Sequence, residues 1–299
     1  MSDNYKVGIV IVNYNGANFQ NDCIASILQS DYENYSIIIV DNASTDNSLE
    51  LLNIFDDERI FVIKLEENCG VAKGNNIGIQ KSIEMGCTHT LLLNNDTVVK
   101  KDFLSALLSC KQDIASSKIY YFGMDIIWYA GGEFQKLKGT AKHLHYKELD
   151  SQNIESGYFE YSPTCCLLVK NEIFDKVGLF DEKYFLYFDD TDFCYRLKQS
   201  GFRIWLCNES VIYHKVSLST GGDNSPVAIY YQNRNRIYFI NKFKFPKSTK
   251  MFFYLSRWVK IIKSKLSRTI NGYYIKLALA DYKQGMMYRC DNLIRDKHK

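Results

Sequence analysis

The sequence predicts an α/β protein, with a mostly parallel central sheet flanked by helices and a helical C-terminal extension. Short β-branched runs alternate with segments of helical apolar spacing through residues 6–93, the pattern of βαβ units. Three of these runs end in Asn/Asp clusters, which marks one edge of the sheet as polar. The last quarter of the chain is basic and aromatic, and residues 241–280 contain no acid.

The elements follow in order. Residues 6–12 form a continuous β-branched run that reads as a buried strand and stops at the turn cluster Asn13-Tyr14-Asn15-Gly16. Phe19, Cys23, Ile24, Ile27 and Leu28 then keep helical spacing. A second strand at 36–40 runs into Asp41-Asn42-Ala43-Ser44-Thr45-Asp46, rich in helix-cap residues. A third strand spans 60–65, a helix 71–85 and a fourth strand 89–93, which ends in Asn94-Asn95-Asp96. Further on, 211–213 reads as a short strand before His214, and Asp189 or Asp190 as the cap of a helix containing Phe193 and Leu197.

Composition narrows the function classes. A chain of 299 residues can bury a core without disulfides or structural metal, and 46% apolar with 24% charged residues excludes disordered, collagen-like and coiled-coil chains. Nine cysteines without CxxC or Cys/His spacing predict neither a zinc site nor a disulfide framework, and suit a reducing compartment. The apolar run at 7–12 is too short for a signal peptide, and no stretch approaches the ~20 apolar residues of a spanning helix. The expected localisation is cytoplasmic.

The polar clusters at Asn13, Asp41-Asn42 and Asn94-Asn95-Asp96 carry the functional signal. In open α/β sheets ligands bind outside the carboxyl ends of the strands. Each cluster alone is explained by a turn, whereas three together predict a polar ligand site. Between them, Gly70, Gly74 and Gly78 place a stripe without side chains on one helix face, for close approach of the sheet or of a ligand. The segment is neither GxGxxG after a strand nor a P-loop. In the second half, Asp181, Glu182, Asp189, Asp190 and Asp192 crowd within 12 residues around an aromatic run. Crowded carboxylates beside an apolar wall raise one another's pKa, which suits a general base.

Charge is uneven. Residues 221–299 carry 17 Lys/Arg and 4 Asp/Glu, while 1–220 carry 20 and 30. Residues 241–280 interleave ten basic residues with Phe243, Phe245, Phe252, Phe253, Tyr254 and Trp258. Two readings compete: helices packed on the body with a solvated basic face, or a surface that meets an anionic membrane or a phosphate-bearing acceptor. Nucleic acid is not expected as a partner.

Taken in order, the motifs resemble the family 2 glycosyltransferases of GT-A fold, especially the bacterial rhamnosyl- and galactofuranosyltransferase-like branch. The carriers are Val10-Ile11-Val12-Asn13-Tyr14-Asn15, Val40-Asp41-Asn42-Ala43-Ser44-Thr45-Asp46, Asn68-x-Gly70-Val71-Ala72-x-Gly74-x-Asn76-x-Gly78 and Leu92-Leu93-Asn94-Asn95-Asp96-Thr97. Gly178-Leu179-Phe180-Asp181-Glu182, Phe188-Asp189-Asp190-Thr191-Asp192, Gly201-Phe202-Arg203, His214 and Tyr231-x-x-Arg234-Asn235 complete the set.

The resemblance implies a catalytic domain over 1–225, its nucleotide-binding half at 1–100 and acceptor half at 101–225, ahead of a basic helical region at 226–299. Asp41 would accept the imide N–H of a uracil or thymine ring, with Val12, Asn13, Tyr14, Asn42, Asn68, Gly70, Lys73, Asn76, Asn94 and Asn95 also holding the donor. Asp96, joined by His214, would ligate Mn²⁺ or Mg²⁺ at the diphosphate. Asp190 would be the base, Asp189 stands where Glu is usual, and Asp192 is the next candidate. Asn94 replaces the first Asp of the family's metal motif, and Pro163-Thr164-Cys165-Cys166, expected beside the acceptor pocket, replaces a Gly-containing segment. The implied activity is inverting transfer of a sugar from a UDP- or dTDP-linked donor to a glycan or lipid-linked acceptor. The alternative is a catalytically inactive protein that binds nucleotide-sugar or glycan.

Overall fold

The computed structural model describes residues 5–150, 154–215 and 225–290. The first half runs β1 (Val7–Asn13), α1 (Gln20–Leu28), β2 (Tyr35–Asp41), α2 (Ser48–Leu51), β3 (Ile60–Lys64), α3 (Gly70–Glu84), β4 (His89–Leu93), β5 (Thr97–Val99) and α4 (Phe103–Ser109). The second half adds β6 (Ile114–Tyr121), β7 (Ile127–Tyr129), β8 (Gly132–Gln135), β9 (Thr140–His143), β10 (Gly157–Phe159) and β11 (Cys166–Lys170). It continues with α5 (Glu172–Val177), α6 (Asp189–Gln199), β12 (Ile204–His214), α7 (Pro226–Lys242), α8 (Lys247–Leu266) and α9 (Asn271–Lys283).

The main sheet has the order β10-β12-β6-β11-β4-β1-β2-β3, with β5 added on β12 and β7 on β6. Strands β3, β2, β1 and β4 are mutually parallel. Strand β11 is antiparallel to both β4 and β6, so β6 and its parallel partner β12 point the same way as the first four. Six strands therefore present their carboxyl ends at one edge, including the ends at Asn13, Asp41, Leu93 and His214.

Alternation along the strands divides the core between the two faces. Ile9, Ile11, Ile37, Ile39 and Leu91 pack with Cys23, Ile24, Ile27, Phe103 and Leu107 on the α1/α4 face. Val10, Ile38, Val40 and Leu92 pack with Ala72, Ile79, Phe174 and Phe193 on the other. The glycine stripe of α3 serves the sheet: a Cβ at Gly74 would lie 2.8 Å from Val12 Cγ1, and one at Gly78 would lie 2.2 Å from Val10 Cγ1.

The strand expected at 211–213 is the end of the longer β12, whose register shifts between Cys207 and Val211. The cap of α6 also differs from expectation. Phe188 occupies it, with no side-chain cap bond, and Asp189, Asp190 and Asp192 all lie in the first turn.

The C-terminal helices pack on the body through polar ties as well as apolar contact. Asn235 Nδ2 donates to the carbonyls of Leu186 and Tyr187 at 2.9 Å each. Lys242 pairs with Asp181 at 2.7 Å and Asp192 at 2.6 Å. Phe245 and Phe253, two of the aromatics of the basic segment, are buried in this contact. Residues 291–299, counted in the basic region, lie outside the described residues. Among the described residues, no helix is long and apolar enough to cross a membrane.

Candidate active site

The loops after β1, β2 and β4 are stitched together by the asparagines that end the strands. Asn13, fully buried, donates from Nδ2 to Asp41 Oδ1 (3.0 Å) and Ser48 Oγ (3.0 Å), and its Oδ1 accepts from Asn95 Nδ2 (2.8 Å). Asp41 also accepts from the Ser44 hydroxyl (2.6 Å) and the Ser44 amide (3.1 Å). A carboxylate offers about four acceptor directions, so one remains for a ligand's N–H. Asn42 closes the floor by accepting from the Cys69 amide (2.9 Å) and donating to the Gly70 carbonyl (3.1 Å). Asn68 caps the same turn through the Gly70 amide (3.0 Å). Tyr14 and Lys73 are exposed at the rim. Ser48, an acceptor for Asn13 from the start of α2, gave no signal in the sequence beyond its place in a polar run.

Asn76 is placed differently. Its Oδ1 accepts from the Phe180 amide (2.9 Å), and its Nδ2 donates to the Phe180 carbonyl (3.0 Å) and Glu182 (3.1 Å). It ties α3 to the segment leading to α6, as Gly70 does: with φ +87°, a Cβ there would meet the Phe185 carbonyl at 2.4 Å.

At the same sheet edge, β5 pairs with β12 so that Thr97 faces His214, and the Lys215 amide donates to the Asp96 carbonyl (2.8 Å). This ladder sets the His214 Nε2 3.1 Å from Asp96 Oδ1, with both side chains over nine-tenths buried. Oδ1 nevertheless has no hydrogen-bond partner, and neither does His214 Nδ1. A carboxylate lone pair left unmatched beside a ring nitrogen fits a pair of ligands, since adjacent octahedral ligands at 2.0–2.1 Å are about 3 Å apart. Among the described residues no group of three or more His, Cys, Asp or Glu could hold a metal. A cation there would take two ligands from the chain and the rest from phosphate oxygens and water. Asn94 and Asn95 flank the pair, and the Asn94 amide donates to the Cys165 carbonyl (3.2 Å), which places the Pro163–Cys166 segment alongside.

The acids of α6 divide by environment. Tyr187 and Phe188 adopt positive φ (65° and 69°), a conformation that costs bulky residues energy and that Asn235 holds in place. Asp189 is buried, and that burial, followed by the neighbouring charge of Asp190, pushes its carboxyl up to about 8. Asp190 is half-exposed; it accepts from the Tyr161 hydroxyl at 2.6 Å and the Thr191 hydroxyl at 3.1 Å. Asp192 is fully buried and enclosed by Arg196 (2.8 Å), Lys242 (2.6 Å) and the Tyr184 hydroxyl (3.1 Å). Residues two apart on a helix do not share a face. Asp190 therefore meets Tyr161 while Asp192 holds α6 to α7.

A row of rings connects the two poles. His214 and Trp128 meet edge to face at 4.5 Å between centroids, Trp128 and His143 at 4.7 Å, and His143 stacks on Tyr161 at 5.8 Å. Tyr161 then reaches Asp190. Trp128 lies in β7, which pairs with β6. Tyr161 and His143 were missed, because only the tertiary fold brings them to the acids. The aromatic run among the acids, 184–188, is largely core: Tyr184 and Phe188 are buried with Ile237 and Phe239 of α7.

The chain is similar to several known proteins. The chain is 28% identical over 254 residues to the dTDP-rhamnosyl transferase RfbF of Shigella flexneri, covering 80% of this chain and 81% of that protein. It is 24% identical over 241 residues to the low-salt glycan biosynthesis hexosyltransferase Agl10 of Haloferax volcanii, covering 77% and 74%. Among solved structures, GalNAc-T7 with UDP, GalNAc and Mn²⁺ superposes with a TM-score of 0.65 at 17% identity, over 81% of this chain and 48% of that one. S. aureus TarS 1–349 in complex with UDP superposes with a TM-score of 0.53 at 18% identity, over 79% and 65%. The chain thus spans about half to two-thirds of these structures, and the likeness is one of fold, the GT-A fold. Residues 8–178 match the family described as glycosyl transferase family 2, so more than half of the chain carries the family's pattern and the protein belongs to it.

Proposed function

We propose that the protein is an inverting glycosyltransferase that uses a UDP- or dTDP-linked sugar and a divalent cation, Mn²⁺ or Mg²⁺. The observation that carries this reading is the pairing of Asp96 Oδ1 and His214 Nε2 at 3.1 Å, with Oδ1 lacking a hydrogen bond, at the edge where the strands end. A cation held by that pair would act as a Lewis acid on the leaving diphosphate. Asp41, with its remaining acceptor direction, binds the imide N–H of the base; Asn13 and Asn95 fix the loops around it.

Asp190 accepts the proton of the acceptor hydroxyl as its oxygen attacks the anomeric carbon. The new C–O bond forms opposite the one that breaks, and the electron pair of the broken bond leaves on the β-phosphate oxygen, so the configuration inverts. Asp189, kept neutral by burial, adds no second charge beside the base. The relatives named for a rhamnosyl transferase and a glycan hexosyltransferase support assembly of a cell-surface polysaccharide as the setting. The acceptor is a glycan or lipid-linked hydroxyl, reached on the cytoplasmic side of an anionic membrane.

The test is release of nucleoside diphosphate from a panel of UDP- and dTDP-sugars with Mn²⁺, followed by the anomeric configuration of the product. Turnover with one donor and an inverted product supports the reading. Donor binding without turnover, across a panel of glycan and lipid-linked acceptors, favours the inactive binding protein.

A further inference from the structure

Helix α8 is furnished for two opposite partners. One face is buried. Phe253 packs with Ile237 and Ile240 of α7, Thr249 donates to the Lys136 carbonyl (3.0 Å), Arg257 reaches Asn233 (2.6 Å), and Ser264 accepts from the Gly272 amide (2.7 Å). The opposite face holds Met251, Leu255, Trp258, Ile262 and Leu266, spaced four, three, four and four residues apart, which is one continuous stripe on a helix. These side chains are 62%, 57%, 62%, 37% and 79% exposed, and Tyr254 and Val259 widen the stripe at its sides. Scattered exposed apolar residues are ordinary, but an ordered row along a 20-residue helix is not.

The charges around the stripe decide what covers it. Lys247, Lys250, Lys263 and Lys265 lie on the same helix and Arg268 just beyond it, in a segment that contains no acid from 241 to 280. Among the described residues none of these five makes an ion pair, whereas Lys242 is engaged with Asp181 and Asp192. Two copies of α8 laid together would bring lysines against lysines with no carboxylate between them, which disfavours self-association. A bilayer with anionic headgroups meets both requirements, since lysines bind the headgroups while a row of Trp and aliphatic side chains enters the acyl boundary.

We propose that the outward stripe of α8 is a membrane-docking surface, laid in the plane of an anionic bilayer with Trp258 at headgroup depth. The proposal deepens the reading of the protein as a polysaccharide-assembly transferase. Asn235 of α7, the helix on which α8 packs, holds the 186–187 carbonyls just before Asp190, so docking would fix the orientation of the proposed base relative to the membrane.

The test uses the full chain and does not depend on transfer activity. Sedimentation with phosphatidylglycerol/phosphatidylcholine vesicles is compared with phosphatidylcholine alone at about 0.15 M salt, with tryptophan emission as a second readout. The wild type is expected to co-sediment with the anionic vesicles, with a blue shift. The L255E/W258E variant is expected to lose about tenfold in binding, and K263Q/K265Q several-fold together with most of the salt sensitivity. All four positions are exposed, and an unchanged melting temperature together with unchanged nucleotide binding by calorimetry confirms an intact fold. The proposal is overturned by no binding of the wild type, by equal binding to neutral vesicles, or by undiminished binding of L255E/W258E. A lipid-free dimer abolished by the same substitutions would assign the stripe to a second copy instead.

Discussion

The Tyr161 hydroxyl donates a 2.6 Å hydrogen bond to Oδ2 of Asp190, which joins the aromatic row to the acids of α6. A donor aimed at the charged form of a carboxylate favours that form and holds the side chain in one rotamer. Tyr161 itself stays protonated, since burial and then the Asp190 charge push its hydroxyl far above the usual range. That contact makes Tyr161 a positioning residue for the base proposed above.

Replacing it tests that role. Tyr161→Phe keeps the ring packing and deletes the bond, which is worth about 1.5–3 kcal/mol to a charged acceptor. We expect kcat to fall roughly tenfold with KM for the donor and donor affinity unchanged. A structural role alone would lower the melting temperature and leave kcat of the folded protein where it was.

Asp190 and Asp192 separate by a pair of variants. Asp192→Asn leaves Arg196 and Lys242 short of their shared buried partner, and the expected cost is about 3 kcal/mol of stability. Asp190→Asn, half-exposed, should melt close to the wild type yet lose transfer by two or more orders of magnitude, the usual contribution of a general base being about 10²–10⁴. Loss of activity in Asp192→Asn without loss of stability would reverse the assignment.

Asp189 gives the protein a pH-dependent liability. Its carboxyl rises from an ordinary 3.8 when unfolded to about 8 when folded, so the folded state holds a proton that the unfolded state has released. The stabilisation from that proton is fully present below about pH 4 and is lost as pH climbs to 8, on the order of 1 kcal/mol per unit. Denaturant titrations should show wild-type stability falling across that window and Asp189→Asn losing much less. Parallel curves for the two proteins would mean that Asp189 is ionised in the folded state.

The glycine stripe of α3 predicts a packing effect. Gly78→Ala would drive a methyl to 2.2 Å from Val10 Cγ1 in the centre of β1. Overpacking of about 1–3 kcal/mol outweighs the gain of about 1 kcal/mol in helix propensity, so the melting temperature should drop. An increase would show that α3 can move off the sheet at no cost.

How much of this was legible in the sequence depends on what each residue packs against. Strands β1, β2 and β4 are continuous apolar runs buried on both faces, and the clusters that end them are the site's own residues. Strand β6 hid itself. It buries Ser116 and Ser117, and pairs Lys118 with Asp150 at 2.8 Å, so no apolar period announces it. Asn76 shows the converse. Its amide looked like ligand chemistry, and it serves as a brace because the 180–182 backbone needs partners. The motif order pointed to Asp96 and His214 as a pair, but only the β5–β12 ladder gives their distance. Tyr161 had no signal, since its role exists only once β8, β9 and α6 are assembled around it.

The most direct test of the account is calorimetric titration of UDP and dTDP into the protein with and without Mn²⁺, beside Asp96→Ala. We expect binding of at least one nucleotide that requires the metal and disappears in Asp96→Ala while the melting temperature holds. Binding that is equally strong without metal, or unchanged in Asp96→Ala, would contradict the assignment of Asp96 and His214 as the cation's seat.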